Sequence, residues 1–182
     1  MGGFKMSDLI SSDLDFDEKN SWGTDPDVFE ALNKEFNFGL DAAASKDNAK
    51  CYLSLTKEDD ALSKDWSQLT NRTVWINPPY GRGFIGKFMA KCIEQKGKGV
   101  TSVMLVPATL DARWLPINRI SEIRVITGGR LSFYHPTTNK KISGNTKGSM
   151  LVIFRPSKMS CFVRLIDRDE LLGTANNKVE SK

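Results

Sequence analysis

An α/β fold, with a mostly parallel central sheet flanked by helices, is predicted here on three observations. Thr73-Val74-Trp75-Ile76 and Ser102–Val106 are unbroken β-favouring runs, the pattern of strands buried on both faces. Apolar residues recur at helical spacing at Val28, Phe29, Leu32 and Phe36, and again at Phe84, Ile85, Phe88, Met89, Cys92 and Ile93. Strand and helix patterns alternate along the chain, which favours parallel pairing.

The elements follow in order. Residues 1–20 are rich in Ser, Asp and Lys and read as a flexible acidic leader. Thr24-Asp25-Pro26 starts the first helix, with a capping side chain ahead of a proline whose missing N–H costs nothing in the first turn. Phe38-Gly39-Leu40 reads as a short strand ending at Asp41, followed by a small-residue turn, Ala42-Ala43-Ala44-Ser45. The 73–76 strand stops at Asn77-Pro78-Pro79. The next helix ends at Gly97 and Gly99. The 102–106 strand closes at Pro107, and further strands are expected at Glu122–Ile126, Met150–Phe154 and Cys161–Ile166. Residues 135–148 contain almost no apolar residue and read as one long loop. A single domain over 21–172 and a flexible tail over 173–182 complete the organisation.

Composition excludes several classes. No apolar run approaches the roughly 20 residues that span a bilayer, and the acidic start lacks the apolar segment of a secretory signal. Cys51, Cys92 and Cys161 stand far apart, without metal-type spacing, and read as reduced thiols of a cytoplasmic protein. Net charge is +4, unevenly spread: residues 1–110 carry 13 Lys+Arg against 16 Asp+Glu, and residues 111–182 carry 13 against 6. A basic half suits either a polyanion partner or a solubilising surface.

Asn77-Pro78-Pro79-Tyr80 stands directly after a buried strand, where open α/β sheets bind their ligands. The exocyclic amine of adenine is a poor nucleophile because its lone pair is delocalised into the ring. Two hydrogen bonds accepted from that amine make the nitrogen more pyramidal. Asn77 offers a side-chain carbonyl for this. Pro78 offers a main-chain carbonyl, held extended by the Pro78-Pro79 pair. Tyr80 offers a ring on which a base could stack once flipped from its duplex. The same tetrapeptide also suits an ordinary strand-ending turn.

The ordered series Trp22-Gly23-Thr24-Asp25-Pro26, Phe38-Gly39-Leu40-Asp41-Ala42-Ala43, Asn48-Ala49-Lys50-Cys51, Asp65-Trp66, Asn77-Pro78-Pro79-Tyr80 and Met104-Leu105-Val106-Pro107-Ala108 is more specific. Arg113-Trp114 and Gly129-Arg130-Leu131-Ser132-Phe133 continue it. With these landmarks the chain, over about residues 21–155, resembles the phage-type, Dam-like DNA N6-adenine methyltransferases. The resemblance implies a Rossmann-like class I fold and S-adenosylmethionine as cofactor. It implies double-stranded DNA as substrate and, for a phage-encoded chain, the cytoplasm of a bacterial host; a monomer is the default expectation. Asn77, Pro78, Pro79 and Tyr80 would be catalytic. Trp22, Thr24, Pro26, Asp41, Ala42, Asn48, Asp60 and Asp65 would hold the cofactor, Asp47 standing beside Asn48 towards the ribose. The glycine-rich turn of larger relatives is replaced by Ala42-Ala43-Ala44-Ser45. Thr24-Asp25-Pro26 resembles a Thr-Pro element with one residue inserted, and is equally an ordinary helix cap. Trp22 and Trp66 suit either the cofactor or the core.

Too few residues separate Asp41 from Asn77 for a target-reading domain. Recognition is therefore expected from the loops and the basic C-terminal third. Arg130, Lys140, Lys141 and Lys147 would track phosphates, and Asn139 and Asn145 would read base edges. His135, in the same loop, reads as a surface residue. Two rivals remain at this stage: methyl transfer to a protein glutamine amide or RNA adenine, and a non-catalytic nucleic-acid-binding module.

Overall fold

The computed structural model describes residues 22–81, 83–135, 138, 140–142, 147–157 and 160–174. The expected leader, the tail beyond Thr174, Asn139 and Asn145 lie outside the described residues. The chain runs β1 (Gly23–Thr24), α1 (Pro26–Phe36), β2 (Leu40–Asp41), β3 (Thr73–Ile76), α2 (Phe84–Gly97), β4 (Thr101–Pro107) and β5 (Glu122–Thr127). It continues with β6 (Phe133–Tyr134), β7 (Lys141–Ile142), β8 (Ser149–Phe154), β9 (Phe162–Asp167) and α3 (Arg168–Leu171). Short 3₁₀ turns at Trp66–Gln68 and Ile117–Arg119 interrupt the connections.

The main sheet has the order β2-β3-β4-β8-β5-β9. Every neighbouring pair is parallel except the two that involve β8, which runs against the others. Side chains of successive strand residues point to opposite faces, and the two cores follow that parity. Val74, Ile76, Met104 and Val106 pack with Ile85, Phe88, Met89 and Cys92 of α2. Trp75, Val103 and Leu105 pack with Val28, Phe29, Leu32 and Phe36 of α1. Burial on both faces is why β3 and β4 read as unbroken apolar runs.

Asp25 caps α1 by accepting the Asp27 N–H at 3.2 Å, with Pro26 in the first turn. The helix ends on Asn37 in the left-handed conformation, φ 50°. It runs opposite to the strands, so its N-terminus lies at the edge where β2, β3 and β4 end. Past β5, Gly128 and Gly129 have positive φ, and a Cβ on either would collide with Asp167 or Arg168. Only glycine fits that turn.

Two expectations need correcting. Residues 135–148 are not one loop: Lys141–Ile142 pairs antiparallel with β6, and β6 pairs with β1, forming a second sheet of order β1-β6-β7. Two-residue strands carry no periodicity that a sequence pattern could show. The strand expected at Phe38–Leu40 is instead Leu40–Asp41, although Phe38 is buried. No helix among the described residues is long and apolar enough to cross a membrane.

Candidate active site

A cleft of about 600 Å³ opens at the carboxyl edge of the parallel strands. Its walls come from the segment after β2, from Trp22 ahead of β1, from Asn77, Pro79 and Gly81 after β3, and from Phe84 and Phe88 at the start of α2.

The segment after β2 is shaped by Asp41. Its carboxylate is buried and accepts the backbone N–H of Ala43 at 3.2 Å and of Lys50 at 3.0 Å. Burial pushes its pKa up to about 6, against the pull of those two N–H groups and the Lys50 charge. Asn48 draws the same segment in by accepting the Ser45 N–H at 2.6 Å. Leu55 and Ala44 bond back to this edge, Leu55 N–H to the Asp41 carbonyl and Ala44 N–H to the Leu55 carbonyl. The result is a closed loop that presents Ala42, Ala43, Ala44 and Ser45 to the cleft.

Asn77 stands at the opposite wall. Its amide N–H donates to the Trp22 carbonyl at 3.0 Å. Its side-chain oxygen accepts the Tyr80 hydroxyl at 3.2 Å. Tyr80 stands beside the cleft at 39% exposed, while the packing around its hydroxyl raises its pKa above the usual tyrosine value. The Asn77 amide thus has a fixed orientation: its donor end is turned towards β1 and its acceptor end towards Tyr80.

The structure brings some of the expected residues together and separates others. Trp22, Ala42, Asp47, Asn48, Asp60, Asn77 and Pro79 line the cleft. Asp41 does not; it braces the loop that does. Asp65 also stands apart, capping a 3₁₀ turn through Ser67 and pairing with Lys98 at 3.1 Å. Trp66 is core, its indole N–H donating to the Ala61 carbonyl at 2.9 Å. Pro26 is exposed in the first turn of α1 and does not reach the cleft. Thr24 is 3% exposed, and its hydroxyl oxygen has no hydrogen-bond partner among the described residues. Phe84 and Phe88, expected as helix core, also face the cleft; helical spacing alone could not separate those roles.

Arg130 follows β5, Lys147 precedes β8, and Lys140 and Lys141 lie in the β6–β7 hairpin, all on the side of the sheet that carries the cleft. Lys140 and Lys147 are exposed. Lys141 is engaged instead: its ammonium lies 2.7 Å from the Asp25 carboxylate, which holds its pKa above the usual lysine range. His135 accepts the Thr138 N–H at 3.3 Å, outside the cleft.

Comparison with known proteins adds two findings. The family model described as DNA N-6-adenine-methyltransferase (Dam) matches residues 11–178. A DNA N-6-adenine-methyltransferase of Escherichia phage T1 is 32% identical over 157 residues, 77% of this chain and 64% of that one. One of Haemophilus phage HP1 is 31% identical over 153 residues, 81% of this chain and 86% of that one. The chain therefore spans just under two thirds of the phage T1 protein and most of the HP1 protein.

Proposed function

Because the chain belongs to the DNA N-6-adenine-methyltransferase (Dam) family, we propose that it transfers a methyl group from S-adenosylmethionine to the exocyclic amine of an adenine flipped out of double-stranded DNA. The observation that carries this reading is the Asn77 amide, held by the Trp22 carbonyl with its oxygen turned towards an exposed tyrosine ring beside a ligand-sized cleft. Two groups, the Asn77 oxygen and the Pro78 carbonyl, accept from the amine. Its lone pair would then be free to accept a methyl group, and the amine proton would leave to water. Tyr80 turns from Asn77 to stack on the base, so that the incoming amine takes the place of its hydroxyl. Such stacking contributes about 1–3 kcal/mol per base in nucleic-acid sites.

The cleft residues fit the cofactor. Its volume falls within the range of small-molecule sites. Ala42, Leu55, Ala61 and Phe84 give an apolar wall, while Asp47, Asn48 and Asp60 supply acceptors for hydroxyl and amine groups. When bound, the cofactor supplies a methyl on a sulfonium, the strong donor that a neutral amine requires. Asp41 acts on the cofactor through the loop it braces. Thr24 offers a buried hydroxyl close to the N-terminus of α1, where a carboxylate is favoured. The mostly parallel sheet, with its cleft at the carboxyl edge, supports a Rossmann-like class I assignment. Arg130, Lys140 and Lys147 follow the phosphates, as counterion release would favour.

Expression in cells that lack adenine methylation, followed by sequencing that detects modified bases, tests the reading. N6-methyladenine in a defined context is expected with the wild-type chain and absent with Asn77→Ala. Methyl groups found only on RNA or on protein glutamine would replace it with another substrate; no transfer at all would leave a binding module.

A further inference from the structure

The small sheet β1-β6-β7 links Lys141 to the Asn77 side chain, and each link is a direct contact. Lys141 on β7 pairs with Asp25, the residue after β1, at 2.7 Å. Asp25 divides its carboxylate: one oxygen takes Lys141 and the other caps α1. Phe133 on β6 pairs with Thr24 on one side and Ile142 on the other. The Trp22 and Phe133 rings lie 6.5 Å apart. Trp22 then gives its carbonyl to the Asn77 amide N–H at 3.0 Å.

That last bond decides the chemistry of the site. The two ends of an asparagine amide have nearly the same shape but opposite hydrogen-bonding character. Turned over, Asn77 would present its N–H₂ to an incoming amine, donor against donor. The Trp22 carbonyl forbids the reversal, and the place of Trp22 is set by the pairing of β1 with β6. We propose that the β1-β6-β7 sheet is a positioning element for Asn77 and that Lys141 is its clamp, tying the hairpin to Asp25 and serving turnover, not phosphate binding. The inference rests on the methyl-transfer reading and reassigns Lys141 within it.

Two single variants and their combination separate the roles. Lys141→Met removes the cation. Asp25→Asn removes the opposite charge and keeps the helix cap, since asparagine caps as well as aspartate. Methyl transfer is measured at saturating DNA, with DNA affinity at two salt concentrations and the melting temperature alongside. Both single variants and the double variant should slow turnover by the same factor, about fivefold to tenfold, as expected for a small displacement of a reacting group. DNA affinity and its salt slope should stay as in the wild type, and Lys141→Arg should keep the wild-type rate. A phosphate contact would behave otherwise. Lys141→Met would then weaken DNA binding and flatten the salt slope, while Asp25→Asn, by removing a negative charge, would tighten binding without slowing turnover. That pattern, or unchanged turnover in both variants, overturns the proposal. A wild-type chain that transfers no methyl group to DNA fails the functional reading itself, an outcome visible before any variant is made.

Discussion

The two ends of the parallel strands are built in opposite ways. At the carboxyl edge, polar groups stand around an open cleft. There Asn77 has one end fixed and one end exchangeable, and Thr24 has a buried hydroxyl with no partner among the described residues. At the amino edge, charges are buried and matched. Glu122 opens β5 at 2% exposed, and Arg124, two residues on, points to the same face. Arg124 donates to Glu122 at 2.6 Å and grips Glu35 of α1 with both terminal nitrogens. Arg155 reaches Glu122 at 2.7 Å, Arg164 reaches it at 3.0 Å, and the Arg124 and Arg155 guanidiniums both lie over the Phe36 ring. The amino edge ties α1 to β5 and to the end of β8, and the carboxyl edge leaves a bond after β3 to be exchanged. Stability and the proposed chemistry are thereby assigned to opposite edges of the sheet.

The contrast can be broken most directly at Arg124. Arg124→Met leaves two carboxylates short of a partner, one of them buried, and should destabilise the fold by about 3–5 kcal/mol. Urea unfolding reads that loss, and methyl transfer per folded molecule should not change, because Arg124 touches nothing in the cleft. A loss of turnover without a loss of stability would mean that the two ends are not separate.

Asn77→Ala is the converse. Removing a group that acts in the transition state should lower turnover by about a hundredfold to a thousandfold. Cofactor affinity, measured by calorimetry, should hold within about twofold of the wild type, as expected for a group that faces the amine. Near-normal turnover would remove Asn77 from the catalytic role.

The pH response sharpens the comparison, because the two ends carry opposite signs. Glu35 and Glu122 have lowered pKa values: Arg124 dominates for Glu35, and for Glu122 the guanidiniums outweigh a burial that acts the other way. Their stabilisation is present above the ordinary carboxylate range and is lost on acidification. Asp41 is the reverse, displaced by burial from 3.8 to about 6. The folded state holds its proton more tightly, so the Asp41 contribution is greatest below pH 4 and is lost as pH rises through 6. A displacement of that size corresponds to about 3 kcal/mol. The stability of the wild type relative to Asp41→Asn should fall by about that amount between pH 4 and 7, followed by urea unfolding across the range. A flat difference would show that Asp41 titrates as an ordinary carboxylate.

The smallest effect concerns Tyr80. Tyr80→Ala should slow methyl transfer by about tenfold through lost stacking, while Tyr80→Phe should keep near wild-type turnover. If Phe is as damaging as Ala in single-turnover assays, the hydroxyl does more than occupy Asn77.

The sequence made the buried strands and the first helix legible because burial on two faces and capping leave local patterns. The same is true of Asn77-Pro78-Pro79-Tyr80, whose position follows from the strand before it. What it could not show were partners distant along the chain. Glu122 and Arg124 look like surface charges until Glu35 and Arg155 arrive beside them. Lys141 looks like an isolated surface cation until Asp25 is placed 2.7 Å away. Asp41 reads from the sequence as the end of a strand, but its two backbone bonds depend on the path of residues 42–50, which no periodicity describes. The reversal of β8 was equally hidden, since Met150–Phe154 is apolar throughout and reads alike in either direction.

The Tyr80–Asn77 bond sets a selectivity on the proposed substrate. At rest the Asn77 oxygen already has a donor, so accepting an adenine amine exchanges one hydrogen bond for another and yields little net free energy. A lone nucleobase or nucleoside brings little else with which to displace the tyrosine. A base delivered by a duplex brings the phosphate contacts of its neighbours, and those supply the driving force that the exchange lacks. On the proposed reading, such a target subsite would favour adenine held in a polymer over free adenine or adenosine.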